Sequence, residues 1–338
     1  MLAVLVTQGC TSHPKREAAD DSAGPRPCPV EAFVRAPEGF TAHDGTISGA
    51  CDVRVVGEST LRNQASVYDI SGTGRPPVLV RSFDGVAHLF GIATRNNYQV
   101  VVGDRIDAQP FVAESKDRGR TWTSLEPPRG SEAARLISIE GYDAWIAFSA
   151  GGGSCLHKVN IVTQHWRTVH CVAPPGRIDS LLVRRAEILL GGTDTQHGFL
   201  LRSRDAGRSF EALEIAKSLT GVTSLALFRG RLLVGGFVQR GAGSITIPRL
   251  LTITRQAAGT NTLRGVGYVT SIVVSASGTA LAVTGAQGSR LYRSRGTRWL
   301  PVHLPEGAGG LDIEHVMTFL HGTLILGGAG FAWMRPTG

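Results

Sequence analysis

Short apolar runs that end in glycine recur along this chain of 338 residues. Two of them are LLVRRAEILLGG at 181–192 and ALFRGRLLVGG at 226–236, in which a short polar segment separates two apolar stretches. Runs of this length bounded by glycine are typical of β-hairpins. Because no window holds 18 consecutive apolar residues and no long segment keeps a 3.6-residue period, the pattern predicts an all-β protein without a membrane-spanning helix.

A fixed period organises these hairpins. The segments SKDRGRTW at 115–122 and SRDAGRSF at 203–210 share the form S-x-D-x-G-x-[T/S]-[W/F], and Trp166 lies 44 residues from both Trp122 and Phe210. Trp299 follows Phe210 after 89 residues, about two periods. Small residues that end strands recur at intervals of 41 to 50 residues, at Gly57, Gly103, Ala150, Gly191, Gly235, Gly285 and Gly327. Each period has room for four short strands, which is one blade of a β-propeller.

The length predicts the number of blades. Seven periods of about 45 residues account for residues 28–338 as a single propeller domain, with 1–10 and 11–27 left over. The final segment, 315–335, holds about three strands, so we expect Ala32–Arg35 to supply its outer strand and close the ring without exposed sheet edges. Six blades is the alternative, because the first segment, about 38–82, lacks the repeated motif.

The repeated motif resembles the Asp-box, or BNR repeat, of sialidase-like, sortilin-like and photosystem II assembly factor-like propellers. The resemblance implies a turn between the two outer strands of a blade, on the face opposite the usual ligand entrance. It gives a structural role to the motif residues, which are Ser115, Asp117, Gly119, Trp122, Ser203, Asp205, Gly207 and Phe210.

The first ten residues, MLAVLVTQGC, resemble the tail of a bacterial lipoprotein signal peptide in which Cys10 is lipidated. Thr7 departs from the aliphatic residue usual at its position, and the apolar stretch is shorter than an export signal needs. Residues 11–27 are polar and contain proline, the composition of a flexible tether. We therefore expect a protein of the cell envelope, anchored by lipid at a membrane face, or a secreted one.

Four further cysteines bear on the compartment. Cys155 and Cys171 lie equally far from Thr163 in a predicted turn, so a hairpin would place them opposite each other at disulfide distance. Cys28 and Cys51 then pair by elimination. Disulfides need an oxidising compartment, which agrees with export. The alternative is four free thiols in a cytosolic protein.

The formal charge of +8 comes mainly from arginine, which is scattered singly or in pairs along the sequence. Nucleic-acid binders cluster basic residues on one element, so this distribution predicts no nucleic-acid partner. We expect instead a monomer with a protein or glycan partner and no cofactor.

Ligands of propellers usually meet the loops that lead into the innermost strands. Aligning the starts of these strands predicts a polar ring at the mouth of a central channel, comprising His43, His88, Arg135, Asp179, Thr223, Thr270 and His315. Neighbouring loops add Asp104, Asp107, Asp194, His197 and Arg240 as candidate binding residues. Three of the ring positions, His43, His88 and His315, are a weak candidate for a zinc or copper site, and solvated side chains at a wet channel mouth are the alternative.

Two functions remain open. No catalytic motif is evident, which favours a non-enzymatic binding or assembly module. The alternative is a sialidase-like or other glycoside hydrolase, with Tyr268 as nucleophile and Asp179, Glu314 and Arg135 as its partners. Sialidases use an arginine triad to hold a carboxylate and often carry an Arg-Ile-Pro segment near the N-terminus. The nearest match in this chain is Arg35-Ala36-Pro37, which departs from that segment at its middle position.

Overall fold

The computed structural model describes residues 32–48, 52–61, 64–72, 75–195, 197–215, 219–240, 245–254, 258–264, 266–275, 279–285, 289–295, 298–306, 308, 311–319, 322–328 and 330–334. They form 28 strands in seven antiparallel sheets of four. Within these ranges no helix is long and apolar enough to cross a membrane. The predictions for Cys10, Cys28, Cys51 and the segments 1–10 and 11–27 concern residues outside the described part of the chain.

Each sheet is one blade, and its strands follow one another from the channel outward. Blade 1 contains β2 (Phe40–Ile47), β3 (Asp52–Ser59), β4 (Gln64–Ser71) and β5 (Val78–Phe83). Blade 2 contains β6 (Val86–Arg95), β7 (Tyr98–Arg105), β8 (Pro110–Ser115) and β9 (Thr123–Leu125). Blade 3 contains β10 (Ala134–Glu140), β11 (Asp143–Ala150), β12 (Gly153–Asn160) and β13 (Trp166–Val172). Blade 4 contains β14 (Arg177–Arg184), β15 (Glu187–Thr193), β16 (Gly198–Ser203) and β17 (Glu211–Ala212).

Blade 5 contains β18 (Gly221–Phe228), β19 (Arg231–Arg240), β20 (Ile245–Ile253) and β21 (Ala258–Thr262). Blade 6 contains β22 (Tyr268–Val274), β23 (Ala280–Gly285), β24 (Arg290–Arg295) and β25 (Arg298–Val302). Blade 7 contains β26 (Ile313–Phe319), β27 (Gly322–Gly327), β28 (Gly330–Met334) and, as its outer strand, β1 (Ala32–Arg35).

The ring closes through β1, as predicted from the sequence. Ala32 pairs with Trp333 and Val34 with Phe331, so the first described strand completes the last blade. The innermost strands touch their neighbours all the way round, including β26 against β2. The prediction of seven blades is therefore confirmed, and the six-blade alternative is wrong.

A β-bulge interrupts the innermost strand of every blade at the same level. The bulged residues are His43, Phe90, Arg135, Asp179, Thr223, Thr270 and Glu314. In five blades the second strand places a glycine opposite the residue before the bulge, namely Gly57, Gly103, Gly192, Gly236 and Gly327. A Cβ on the first four would overlap a backbone carbonyl oxygen of the innermost strand. In these four blades the close approach at the bulge therefore requires glycine, and part of the high glycine content follows from it.

The core consists of apolar layers between successive blades, such as that formed by Val100, Val112, Ile146 and Phe148 of blades 2 and 3. The repeated aromatic residues join these layers. Trp122 lies 5.7 Å from the ring of Phe83 in the preceding blade. The 44-residue period therefore arises because an aromatic side chain packs at the same position in successive blades.

The two S-x-D-x-G turns form the same hydrogen bonds. In the first, the Ser115 hydroxyl accepts the Gly119 N–H at 2.7 Å, and Asp117 accepts the Thr121 N–H at 2.8 Å. Hydrogen bonds from the Thr121 N–H and hydroxyl lower the pKa of Asp117 to about 2.

The second turn repeats this geometry. The Ser203 hydroxyl accepts the Gly207 N–H at 2.8 Å, and Asp205 accepts the Ser209 N–H at 3.0 Å. The Ser209 side chain is the main cause of the lowered pKa of Asp205. Both turns follow the third strand of a blade, so they lie at the end of the propeller away from the starts of the innermost strands.

A disulfide joins Cys155 on β12 to Cys171 on β13, and the two residues are directly opposed in the strand register. This confirms the pairing predicted from their equal distances to the turn.

Candidate functional site: the channel mouth

The seven bulges place one side chain from each blade around a single cavity of about 310 Å³. We call this cavity, with the seven bulged residues that line it, the channel mouth. The innermost strands begin here, and the residues that follow the bulges form the next level, including Asp44, Ser180, Ser224, Ser271 and His315. Because a bulge re-aims a side chain without interrupting the sheet, a rigid scaffold holds all seven groups.

Phe90 is the platform of one side of the mouth. The Arg135 guanidinium lies 4.2 Å from the centre of its ring, and the His88 ring stacks on it at 5.4 Å with an interplanar angle of 20°. Arg135 is exposed and forms no ion pair or hydrogen bond with any described residue. A cation–π contact therefore orients a guanidinium whose N–H donors remain free.

Two carboxylates line the other parts of the mouth. Desolvation raises the pKa of Glu314, although its electrostatic interaction with His43 opposes this shift. Desolvation also raises the pKa of Asp179, against the effect of Arg177. Asp179 is engaged, since Arg177 Nε donates to it at 2.5 Å and Thr193 Oγ1 at 3.1 Å.

The histidines of blades 1 and 2 meet at Glu58 of β3. Its Oε2 lies 3.3 Å from His43 Nε2 and 3.1 Å from His88 Nε2. Asp104 contacts the other ring nitrogen of His88, Nδ1, at 2.7 Å. Only the contact between His88 and Asp104 is a hydrogen bond, since Glu58 Oε2 and His43 Nε2 have no hydrogen-bond partner among the described residues.

The third predicted histidine, His315, faces Asp44 instead, at 3.5 Å. The three histidines therefore do not share one centre. Among the described residues no group of three histidines, cysteines or carboxylates has the geometry to hold a metal ion.

The position after the bulge links neighbouring blades. Asp44 Oδ2 accepts the Ile92 N–H of blade 2 at 3.0 Å, and burial raises the pKa of this carboxyl despite the opposing charge of His315. Ser224 accepts the Ile272 N–H at 2.8 Å in the same way. These hydrogen bonds fix the angle between blades at the level of the mouth.

The residues proposed for a sialidase-like reaction are only partly brought together. Tyr268 starts β22 and is 42% exposed, and desolvation and the charge of Glu314 raise its pKa, the opposite of what activates a phenolic nucleophile. Arg135 is the one arginine among the described residues that lines the channel mouth. Tyr98 and Tyr142 contact each other near the start of the second strands, and Tyr68 and Tyr292 lie in third strands.

The candidate loop residues surround the mouth without lining its cavity. Asp107 accepts the Gln109 N–H at 3.3 Å, and Asp194 accepts the His197 N–H at 2.8 Å, so both carboxylates order their own turns. Arg240 ends β19 at the same end of the propeller.

Sequence alignment of the strand starts identified five of the seven bulges. In blade 2 it selected His88 where the structure places Phe90, and in blade 7 it selected His315 where the structure places Glu314. A glycine on the second strand would have located these two bulges. Gly103 pairs with Leu89 and Gly327 pairs with Ile313, and Leu89 and Ile313 are the residues immediately before the bulges.

Neither a family model nor a curated protein matches this chain. Solved structures do. The structure described as YCF48 bound to D1 peptide is 15% identical with a TM-score of 0.68, over 91% of this chain and 95% of that one. A chain of the mitotic checkpoint complex is 11% identical with a TM-score of 0.65 over the full length of both. The GH74 xyloglucanase from Xanthomonas campestris is 15% identical with a TM-score of 0.62, over 90% of this chain and 52% of that one. At these identities the likeness concerns the fold alone, and that fold is the seven-bladed β-propeller.

Proposed function

We propose that this protein is a non-enzymatic binding or assembly module whose channel mouth receives a peptide segment of a protein partner. The observation that carries the proposal is the Arg135 guanidinium, held over Phe90 with its donors free inside a ring supplied by all seven blades. Preorganised and accessible, it is suited to a carboxylate, which guanidinium binds through paired hydrogen bonds.

A carboxyl group, that of Glu314, lies across the channel mouth from the Arg135 guanidinium. Glu314 belongs to blade 7 and Arg135 to blade 3, so at least three blade steps separate them around the channel. A segment with an acidic group at Arg135 and a cationic or hydroxyl group at Glu314 satisfies both. Propellers of this shape include YCF48, solved with a peptide, and a chain of the mitotic checkpoint complex, which supports a protein partner.

The same proposal places the protein in the cell envelope as an Asp-box propeller, anchored by lipid at Cys10. The disulfide between Cys155 and Cys171 supports an oxidising compartment, since such bridges persist outside the reducing cytosol. Labelling with a radioactive fatty acid, lost in Cys10→Ala, tests the anchor.

The binding proposal is tested with peptides selected from a random display library on the full-length protein. Arg135→Ala should weaken binding of the selected peptides by at least about tenfold, because a hydrogen bond to a charged group is worth about 1.5–3 kcal/mol. The matched control is Arg95→Ala, which removes an exposed arginine at the other end of the propeller. Equal affinities for wild type and Arg135→Ala would contradict the proposal.

A glycoside hydrolase is the second candidate function. The specific observation is that two carboxyl groups with raised pKa values, Asp179 and Glu314, line one cavity, as a catalytic acid and its partner do. One neighbour in fold, a GH74 xyloglucanase, is an enzyme of this class. Hydrolysis of a fluorogenic sialoside or glycan panel that disappears in Glu314→Gln, Asp179→Asn or Tyr268→Phe would replace the binding proposal by this one.

A further inference from the structure

A second cavity, of about 730 Å³, lies between blades 4 and 5 at the end of the propeller opposite the channel mouth. We call it the inter-blade groove. Its walls come from the ends of β14, β18 and β20 and the starts of β15 and β19, and it is lined by Arg184, Glu187, Leu189, Arg202, Arg204, Leu213, Leu227, Arg229, Gly230, Leu232, Ile253 and Thr254. It shares no lining residue with the channel mouth.

The floor of the groove is aliphatic. Leu213, Leu227 and Ile253 are partly buried and pack on Leu189 and Leu232, which belong to the core between these two blades. These three partly exposed side chains therefore form an aliphatic recess over a buried core. Aliphatic side chains of a ligand that enter it remove this surface from water, with about 25 cal/mol gained for each Å² buried.

The rim of the groove is cationic, with four arginines against one glutamate. Glu187 is engaged by Arg202, whose Nε is buried and without a hydrogen-bond partner. Arg204 reaches Glu211 at 3.3 Å through two exposed side chains, a pairing of little energetic weight.

The other two arginines have no acidic partner among the described residues. Arg184 is exposed on the blade 4 side of the groove. On the blade 5 side, the guanidinium of Arg229 lies 5.2 Å from the centre of the Phe228 ring. The positive charge that is dispersed along the sequence is thus concentrated here around an apolar recess, because adjacent blades bring separate arginines together.

We propose that the inter-blade groove docks an extended acidic peptide segment whose aliphatic side chains enter the recess while its carboxylates meet the arginines. The positive charge of the rim favours an anionic partner. The aliphatic floor favours a peptide with apolar side chains over an anion that has none. Single-stranded nucleic acid needs aromatic stacking platforms, and the described residues that line the groove include no aromatic side chain. Membrane surfaces take protruding apolar side chains, whereas these leucines form a recessed floor.

The test uses fluorescein-labelled peptides of about a dozen residues and fluorescence anisotropy on the full chain. One peptide mixes aspartate with leucine, the second replaces leucine by serine, and the third replaces aspartate by lysine. The variant Arg184→Glu with Arg229→Glu reverses two exposed charges and leaves the core untouched. The matched control reverses two exposed arginines at the same end of the propeller but outside the groove, Arg95→Glu with Arg298→Glu.

We expect the aspartate–leucine peptide to bind wild type and the Arg95→Glu, Arg298→Glu control alike and to lose at least about tenfold in affinity for the double reversal in the groove. The serine and lysine peptides should bind more weakly than it does. Equal binding of the double reversal, with its thermal unfolding unchanged, would overturn the proposal. So would stronger binding of the aspartate–serine peptide, of anionic lipid vesicles or of a single-stranded oligonucleotide. The proposed function is tested separately, at Arg135 and with peptides selected for that purpose, so failure of the groove and failure of the proposed function give different results.

Discussion

Asp44 in the innermost strand of blade 1 accepts a hydrogen bond from the backbone N–H of Ile92 in blade 2, over 3.0 Å. Its other carboxylate oxygen lies 3.5 Å from His315 in blade 7. One side chain therefore connects three consecutive blades at the point where the first and last blades meet. Burial raises the pKa of this carboxyl, so its charge is a cost in the folded state.

The variant Asp44→Asn should gain stability relative to wild type as the pH rises from about 4 to neutrality. Between the unfolded aspartate pKa of about 4 and the raised pKa of the folded state, the folded protein retains a proton on Asp44 that the unfolded chain has released, so wild-type stability falls as the pH rises through that interval. Asparagine keeps an acceptor for the Ile92 N–H and does not titrate. Urea denaturation of both proteins across the pH range measures the difference.

The matched control is Asp44→Ala, which does not titrate either and leaves the Ile92 N–H without its acceptor, so it should be about 1–3 kcal/mol less stable than Asp44→Asn at every pH. A difference between wild type and Asp44→Asn that stays constant from about pH 4 to neutrality would show that the carboxyl titrates as it does in the unfolded chain.

Phe90→Ala should lower the affinity of mouth-binding peptides by a factor of about 2 to 5. The substitution removes the ring that orients Arg135, and a cation–π contact at an exposed site is worth about 0.5–1 kcal/mol. Isothermal titration with peptides selected on wild type provides the measurement. Phe228→Ala, which removes the ring beneath Arg229 at the other end, is the matched control and should leave these affinities unchanged.

Gly192→Ala should lower the free energy of unfolding by about 1–3 kcal/mol or more. The new methyl group would overlap the Arg177 carbonyl oxygen and lie 2.5 Å from the Phe199 ring, so the bulge at Asp179 would have to shift. In Gly259→Ala the methyl group meets no atom within 4 Å, and the change should stay within about 0.5 kcal/mol. Similar losses in both variants would argue against the steric role of the bulge glycines.

Replacing Cys155 and Cys171 together by serine should lower the free energy of unfolding by about 2–4 kcal/mol, because the bridge closes a loop between residues 16 apart. Wild type denatured in the presence of a reductant should lose the same amount. If the reductant has no effect on wild type, the two thiols are not joined in solution.

Asp117→Ala should lower the thermal midpoint by a few degrees at neutral pH and much less near pH 2. The hydrogen bonds that lower the pKa of Asp117 to about 2 stabilise the fold above the unfolded value of about 4, and this contribution is lost as the pH falls through the folded value. Peptide binding at the distant channel mouth should be unaffected. Loss of that binding in a folded Asp117→Ala variant would assign the turn a functional role.

Much of the fold could be predicted from local signals. The spacing of Trp122, Trp166 and Phe210 revealed the blade, because an aromatic residue packs at the same point of successive blades. The final segment of the sequence has room for only three strands of blade 7, which predicted that Ala32–Arg35 supplies the fourth. Cys155 and Cys171 were identifiable because strand register follows from equal distance to a turn.

The sites were harder to predict because they depend on register and on contacts between distant segments. The bulges at Phe90 and Glu314 depend on the pairing between the first and second strands of their blades. An alignment of strand starts does not contain this register and selects a neighbouring residue instead. The arginines of the inter-blade groove belong to four different strands or turns, and only the packing of blade 4 against blade 5 brings Arg184 close to Arg229.

The pairing of Ala32 with Trp333 joins positions about 300 residues apart. During synthesis the strand that seals the circle emerges first among the described strands, and it has no place to dock until the chain has been extended past residue 330. A truncated chain that lacks β28 leaves β1 unpaired and the first and last completed blades without a neighbour on one face. These exposed surfaces make the truncated chain a target for proteases and chaperones. The closure therefore acts as a check on completeness, since only a chain made through its last blade reaches the protected form.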